Sequence, residues 1–474
     1  MTEAVNTTTN NNASSVSNTT VTDTSTTTGT TVSDNASNVL LIQEAINMIK
    51  ETVNAPETLE QSRYSPSFFT RVRKLPFIIV IYIMLCLSKR KISTQLQDYF
   101  KDDFIRNGYI EKMKLSDYMQ NVASQQAYSQ ARAKFNHMPF KLSFDKLRDY
   151  EYGQKTFGLN LYFNHLLVAI DGSEIPLPDK ADLGEHFGCN GRSSDSPVAR
   201  ASIAYDPLNM RTIAAEFEPM DIDERTMSIR HINELSKVLK CVTPCFIFDR
   251  GYMSAALLTY LNSTPAKYVF RLRSKYNVEI DNLPLGDHRI KLKGANKEEI
   301  ELRIVKFTID SPKEGTVVET LATNWFDLPS SEFKELYHLR WPVETNYSLL
   351  KNKLQLTDFT GFSVNSIIQE FWLAVLMSYL VGITFFEAQA VIDANASCDN
   401  SNKYQPNVNG IVGTLKSYIK DILLCNDKAT LADLGMCIVN AAARDRVVKS
   451  TTDRHFARKT PRKARNHCNL KRNI

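Results

Sequence analysis

The chain has 474 residues, of which 43% are hydrophobic and 23% are charged. This composition excludes a protein that is disordered or fibrous throughout, and the length allows two or three globular domains with at least one sizeable core. The net charge of +5 is too small to indicate a binding partner by itself.

Positive charge is concentrated at two places along the chain. Residues 61–97 contain seven Lys or Arg and no acidic residue, and the segment from Arg444 to the end contains eleven Lys or Arg against two Asp. Clustered positive charge suits a phosphate backbone, because each neutralised phosphate releases a condensed counterion. Both segments therefore indicate nucleic-acid-binding surfaces, although a solvated tail without a ligand is a second interpretation of the C-terminal one.

The cysteines and the apolar segments indicate a soluble, cytosolic protein. The eight cysteines are scattered, and their closest pair, Cys241 and Cys245, has no second pair at zinc spacing. We predict reduced thiols, with these two in the core. Residues 1–38 have neither the charged start nor the apolar middle of a signal peptide. The apolar run 75–87 is too short to span a bilayer, so a buried helix and no membrane contact are expected.

The first third of the chain divides into a leader and a helical region. Residues 1–38 are rich in Thr, Asn and Ser, which predicts disorder. Residues 39–155 are predicted to be helical and to bind DNA ends, because apolar residues recur three and four apart in 39–49, 77–87 and 124–135.

The segment 124–135 has small and amide residues on one side, together with Arg132 and Lys134. This composition suits a helix in a DNA groove, where Gln can read base edges and Arg or Lys can contact phosphates. An ordinary surface helix would have much the same composition, so the segment leaves both interpretations open.

Residues 160–390 are predicted to form a mixed α/β domain. Its elements, in order, are strands at 166–170, 199–205 and 212–217, a helix at 223–239 and a strand at 245–248. By analogy, this order is that of a ribonuclease H-like mixed-sheet core. A β-rich insertion is predicted at about 267–325, followed by helical periodicity from 330 to 389, and residues 391–474 are predicted to be a helical C-terminal region with a basic tail.

Two aspartates follow apolar strands of the predicted sheet. Asp171 comes after Leu166–Ile170, and Asp249 comes after the strand 245–248. If the two strands are neighbours, these carboxylates meet at one edge of the sheet, which is unfavourable unless a cation lies between them. Mg²⁺ prefers such hard oxygen ligands. However, Asp-Gly and Asp-Arg-Gly are also common turn sequences that need no metal.

A third acidic residue lies in a segment with regular spacing. Tyr337, Arg340, Glu344 and Lys351 are separated by three, four and seven positions, so a helix would place all four on one face. Pro342 is expected to kink or restart that helix. The face would carry one carboxylate for a metal and two cations for phosphates. A surface helix with an Arg–Glu pair is the alternative.

The same segment matches the Tyr-(2)-Arg-(3)-Glu-(6)-Lys signature of a large family of bacterial insertion-sequence transposases of the DDE type, the insertion-sequence-four family. Asp171-Gly-Ser and Asp249-Arg-Gly-Tyr252 resemble that family's other two acidic motifs, in the right order. A β-rich insertion before the Glu-bearing helix is also similar. The resemblance extends from about Phe68 to Gly382, including Phe69-Thr-Arg-Val-Arg-Lys-Leu-Pro76 and Ala131-Arg-Ala-Lys134.

The resemblance implies a chemistry. Asp171, Asp249 and Glu344 would be the catalytic residues and would bind two Mg²⁺ ions, for which Mn²⁺ can substitute, about 4 Å apart at the scissile phosphate. One site would then both hydrolyse the DNA at an element's end and transfer the strand into a target. The resemblance also implies DNA contacts for the remaining site residues, which are Tyr337, Arg340, Lys351 and Arg225.

The resemblance further implies double-stranded DNA as a partner, at element ends and target, a homodimer in the DNA complex, and a place in the bacterial cytoplasm at the nucleoid. Relatives form a DNA hairpin and flip a base onto an aromatic residue, for which Trp325 and Trp341 are candidates. Core packing is the expected role of both tryptophans. A metal-dependent nuclease of the same fold and an inactive DNA-binding descendant remain alternatives.

Overall fold

A computed structural model describes residues 30–31, 40–71, 73–86, 91–104, 114, 119, 122–153, 158–189, 196–311, 315–396 and 403–449. Apart from Thr30 and Thr31, residues 1–38, for which disorder is predicted, lie outside these ranges, as does the basic tail beyond Lys449. Thr30 and Thr31 form a two-residue strand, β1, that pairs with the first strand of the sheet domain.

The predicted N-terminal helices are present. They are α1 (Ile42–Asn54), α2 (Pro56–Ser62), α3 (Phe77–Leu85), α4 (Ile92–Asp103), α5 (Gln125–Arg132) and α6 (Met138–Tyr152). Helix α3 begins directly after Pro76 and is apolar on all sides, which explains why it is almost wholly buried. The side chain of Ser124 caps α5 by accepting a hydrogen bond from the backbone N–H of Ala127.

The central domain is a mixed sheet with helices. Its elements are β2 (Leu161–Tyr162), β3 (His165–Pro176), α7 (Ala181–Phe187), β4 (Val198–Asp206), β5 (Arg211–Glu218), α8 (Glu224–Val238), β6 (Thr243–Phe248), α9 (Ala255–Asn262) and β7 (Lys267–Arg271). The core order is β5-β4-β3-β6-β7. Strands β4 and β5 are antiparallel to their neighbours, whereas β3, β6 and β7 are parallel. This is the ribonuclease H-like mixed α/β core that the order of elements predicted.

Strand β3 is longer than expected. Its parallel pairing with β6 ends at Ile170 and Phe248, but β3 continues to Pro176 by pairing with β4. Asp171-Gly172 is therefore not a turn, and the expectation that the strand ends at Asp171 is wrong. The register nevertheless places Asp171 and Asp249 directly after one paired position of two neighbouring strands.

The β-rich insertion extends the same sheet. It contains α10 (Val278–Asn282), β8 (Gly286–Lys293), β9 (Glu299–Ser311) and β10 (Gly315–Thr323). Strand β10 pairs with β7 on one side and β9 on the other, so the insertion adds strands to the edge of the core. Strand β7, which the sequence assigned to the insertion, belongs to the core because it is parallel to β6.

The signature segment is not one continuous helix. A 3₁₀ turn (Ser330–Glu332) leads into α11 (Phe333–His338), Pro342 starts α12 (Pro342–Ser348), and a π-helical turn (Leu349–Lys353) follows. The restart predicted at Pro342 is confirmed, since proline fits the first turn of a helix. The single helix face predicted for four residues is therefore not formed: Tyr337 lies in α11, Arg340 in the turn before α12, Glu344 in α12 and Lys351 in the π-helical turn.

Helix α13 (Val364–Ala394) runs through the interior. By length and composition it could cross a membrane, but 83% of its most apolar window is buried, as in the core helix of a soluble protein. Helices α14 (Val408–Leu424) and α15 (Lys428–Arg444) pack against it, and short strands β11 (Tyr404–Pro406) and β12 (Arg446–Val448) pair beside them. The described cysteines are free thiols; Cys245 is buried as predicted, but Cys241 is exposed, so its assignment to the core was wrong.

Candidate active site

The two aspartates of the predicted site come from adjacent strands. Asp171 lies in β3 and Asp249 directly follows β6, with side chains 21% and 38% exposed. The backbone N–H of Gly172 donates to Asp171 Oδ1 at 3.0 Å. Both carboxylates thus lie at the same edge of the sheet and remain accessible from outside.

Glu344 is brought to this edge by the packing of α12. The hydroxyl of Tyr347, one turn further along α12, donates to the backbone carbonyls of Asp171 at 2.9 Å and Ala201 at 3.2 Å. Because residues three apart share a helix face, this anchor turns Glu344 toward β3. The third acidic residue therefore reaches the site through packing that the signature spacing does not reveal.

Arg340 joins two of the carboxylates. Its Nη2 lies 2.6 Å from Glu344 Oε1, and its Nη1 lies 3.4 Å from Asp171 Oδ2. Only 6% of Arg340 is exposed, so its positive charge is placed inside the site. We call Asp171, Asp249 and Glu344 the acidic cluster. The guanidinium acts as a counterion inside this cluster, because neighbouring carboxylates repel each other.

Tyr337 is tied to the remaining carboxylate. Its hydroxyl donates to Asp249 Oδ1 at 3.0 Å. The guanidinium of Arg271 stacks on the Tyr337 ring, 5.7 Å from its centroid, and lies 3.9 Å from Asp249 Oδ1. Tyr337 thus orients Asp249 in this structure.

Lys351 lies against strand β3. Its Nζ donates to Ser173 Oγ at 2.7 Å and to the carbonyl oxygen of Glu174 at 2.8 Å. Burial lowers the pKa of the Lys351 ammonium, although Glu174 acts in the opposite direction. The charge of Lys351 therefore sits beside the acidic cluster, two and three residues along the strand from Asp171.

The two aspartates have different proton affinities. Burial raises the pKa of Asp171 to about 6, despite the opposing effects of Arg340 and the Gly172 N–H. Burial also acts to raise the pKa of Asp249, but the N–H of Arg250, Arg340 and the other donors around it outweigh burial and lower it. Neighbouring carboxylates with separated pKa values are typical of catalytic sites.

Arg225 contacts the loop after Asp249. Its Nε and Nη2 donate to the carbonyl oxygen of Gly251 at 3.1 and 2.9 Å. In this structure the Arg225 side chain thus stabilises the Asp249-Arg250-Gly251 turn. A DNA contact by Arg225 stays a prediction.

The site also contains residues that the sequence analysis missed. Glu319 of β10 is 3% exposed and forms ion pairs with Arg271 and Arg250. Arg250 could have been found from its place in the Asp249 motif, whereas nothing local marks Glu319 or Arg271. Their pairing depends on how the insertion folds back onto β7.

Glu224 is a further acidic neighbour. A Cβ added at Gly172 would lie 2.5 Å from Glu224 Oε1, so the glycine leaves room for this carboxylate next to Asp171. Burial raises the pKa of Glu224, with Arg200 acting against it. The side chain was not singled out by the sequence because it belongs to the first turn of α8 and to no acidic motif.

The two tryptophans differ in position. Trp325 is 2% exposed and is packed in the core, as expected. Trp341, between Arg340 and Pro342, is 54% exposed, so the core role expected for it is wrong. An exposed indole next to the acidic cluster is available for contact with a ligand.

The donor set of the acidic cluster fits a divalent cation of the magnesium type. Asp171, Asp249 and Glu344 offer only carboxylate oxygens, which are hard ligands. Burial is the main cause of the raised pKa of Asp171, and the charges of Asp249 and Glu344 add to it, so a cation among the three would relieve their repulsion. Within the described ranges, no three His, Cys, Asp or Glu side chains are already grouped as a metal centre. In this structure Arg340 supplies the positive charge.

The central domain is similar to a family of known proteins. Residues 162–381 match the family described as the transposase DDE domain. Strands β3 to β10, the acidic cluster and the signature segment all fall inside the matched residues.

Two individual proteins are also similar. The transposase InsG for insertion sequence element IS4 of Escherichia coli (strain K12) is 26% identical over 233 residues, which cover 45% of this chain and 50% of that protein. The chain thus matches about half the length of this curated relative. A cryo-EM structure of the piggyBac transposase synaptic complex with hairpin DNA aligns with a TM-score of 0.43 and 13% identity, covering 86% of this chain and 87% of that one.

Proposed function

We propose that the chain is a DNA transposase that binds the terminal inverted repeats of its own insertion sequence, hydrolyses the phosphodiester there and transfers the strand to target DNA. One observation carries this proposal. The carboxylates of Asp171 in β3, Asp249 directly after β6 and Glu344 in α12 lie near the buried guanidinium of Arg340. All of these residues fall within the part of the chain that matches the transposase DDE domain family.

Asp171, Asp249 and Glu344 would hold two Mg²⁺ ions, with Mn²⁺ as a substitute. When bound, such ions lower the pKa of a water and neutralise charge that develops on the phosphate. Phosphoryl transfer otherwise depends on positioning and electrostatics, which the protein's own side chains supply.

The surrounding side chains position these groups. Tyr337 fixes Asp249 by its hydrogen bond, and Arg340 keeps Asp171 and Glu344 from separating. Lys351 places a cation beside β3, where it can pair with a DNA phosphate as a point charge. Trp341 offers an exposed aromatic face on which an unpaired base can stack.

The partners follow from the reaction. Both ends of an element must be cut while they are held together, so we propose a homodimer in the DNA complex, with residues 39–155 binding double-stranded DNA ends. The site of action is the bacterial nucleoid. These assignments rest on the proposed transposition and not on a contact in this structure.

The test compares cleavage with binding. The substrate is a labelled DNA duplex that carries the end sequence flanking the coding region, incubated with Mg²⁺. For Glu344→Gln we expect binding to remain and cleavage to fall about a thousandfold or more, because a metal-binding charge is lost. Glu335→Gln, an exposed acid on α11, is the matched control and is expected to cut like the wild type. Full cutting by Glu344→Gln would contradict the proposal.

A further inference from the structure

A basic groove lies outside the acidic site, between the loop before α3 and helix α5. Its volume is about 950 Å³. Its lining residues come from two segments of the chain, which are the loop before α3 and the segment 122–134 that contains α5. We call this feature the α5 groove.

The charged residues that line the α5 groove are all positive. Arg71, Arg73, Lys74 and Lys134 line it, and none of its described lining residues is acidic. Arg71 and Arg73 are exposed, and Lys134 lies over the ring of Phe68 at 5.6 Å. Concentrated positive charge in a concave surface attracts polyanions more strongly than the same charge on a flat one.

The groove has a fixed shape. Phe69 adopts a positive φ of 62° and packs edge-on against Phe77 and Phe135 in the core. Arg63 Nη1 donates to the carbonyl of Phe68 at 3.3 Å, so the loop is held at its base as well. A conformation that costs energy persists only where packing enforces it, and here the packing fixes the backbone two residues before Arg71.

Helix α5 presents two different faces. Tyr128, Ala131 and Arg132 are buried, whereas its Gln and Ser residues are exposed. Arg132 donates to Gln369, Thr360 and the carbonyl of Ser366 on the α13 side. Arg132 was a candidate phosphate contact on the sequence alone, but its burial shows that it is a structural residue. Lys134, in contrast, lines the groove.

The geometry points to the α5 groove as a site for the phosphate backbone of duplex DNA, which we propose as a deepening of the function above and which rests on it. Arg71, Arg73 and Lys134 pair with phosphates, and Gln130 on the exposed face of α5 lies toward the base edges. An α-helix with its side chains is about 10–12 Å in diameter, which matches the width of about 12 Å of a major groove. An acidic protein segment would not need the exposed amide of Gln130 beside these cations.

The test measures binding separately from catalysis. Duplex DNA carrying the end sequence, and a random duplex of equal length, are titrated with full-length Glu344→Gln in EDTA, with and without Arg71→Ala plus Arg73→Ala. We expect about tenfold weaker binding and a log–log salt slope smaller by about two. Arg71→Lys plus Arg73→Lys is expected to restore most of the affinity.

The matched control removes two exposed cations elsewhere, Lys237→Ala plus Lys240→Ala near the end of α8, and is expected to bind DNA normally. Unchanged affinity and salt slope in the Arg71/Arg73 variant would overturn the proposal while leaving the acidic site untouched. Loss of binding to an acidic peptide but not to DNA would also overturn it. Groove-dependent binding in a protein that never cuts would contradict the proposed transposition alone.

Discussion

Arg340 occupies an unusual place for an arginine, because its charge is buried between carboxylates that would otherwise repel each other. For Arg340→Ala we expect the free energy of unfolding to fall by about 1–3 kcal/mol in EDTA, since Asp171 and Glu344 lose their counterion while remaining partly solvated. Mg²⁺ should restore more stability to this variant than to the wild type. Urea unfolding with and without Mg²⁺ measures both effects, and equal stability of the two proteins in EDTA would show that Arg340 is not the counterion.

The raised pKa of Asp171 gives a stability effect of definite sign. The folded carboxyl, with a pKa of about 6, binds its proton more tightly than the unfolded one at 3.8. Stability is therefore lost as the pH rises between these two values, and the loss is complete above the folded pKa.

Asp171→Asn removes this cost. We expect the variant to be more stable than the wild type by roughly 2 kcal/mol at pH 7.5 in EDTA, with a smaller difference at pH 4.5. Urea unfolding at the two pH values measures it. A variant that is less stable than the wild type at pH 7.5 would contradict the assigned environment of Asp171.

At the scale of elements, Glu319 connects the insertion to the site through an ion pair. Glu319 of β10 neutralises Arg271, which stacks on Tyr337 and so borders Asp249. Glu319→Gln is expected to reduce cleavage at saturating DNA about tenfold with little change in DNA affinity, because small displacements of catalytic groups are costly. Glu301→Gln, an exposed acid on β9, is the control. A change in affinity alone would place Glu319 in DNA binding instead of positioning.

The elements also show what the sequence could and could not predict. The apolar runs predicted β3, β6 and the hairpin of β4 and β5, because buried strands need such residues. Asp171 was misplaced at a strand end, since the polar stretch after it pairs with β4 through backbone hydrogen bonds that side-chain patterns do not reveal. Arg132 was offered to DNA because an Arg on a polar helix looks the same whether it faces solvent or the buried Glu370.

In the whole molecule, a buried network of polar side chains connects the N-terminal helices to the sheet domain. Arg211 of β5 pairs with Glu151 of α6, and Tyr379 of α13 donates to the same carboxylate. Glu151→Ala leaves a buried guanidinium without its partner, so we expect unfolding to become easier by about 3–5 kcal/mol. Thermal or urea unfolding measures this, with the exposed Glu185→Ala as control. A loss below the error of the measurement would show that these parts do not depend on this network.

We propose above that one acidic site both cuts DNA and joins it. The most direct measurement supplies the wild type with a pre-cut element end that has a free 3′-hydroxyl, a supercoiled plasmid and Mg²⁺, and measures covalent joining of the two DNAs. We predict joined products that are absent with Asp171→Asn and unaffected by Glu335→Gln. A wild type that cuts the uncut end but never joins the pre-cut one would contradict the account and leave a nuclease of the same fold.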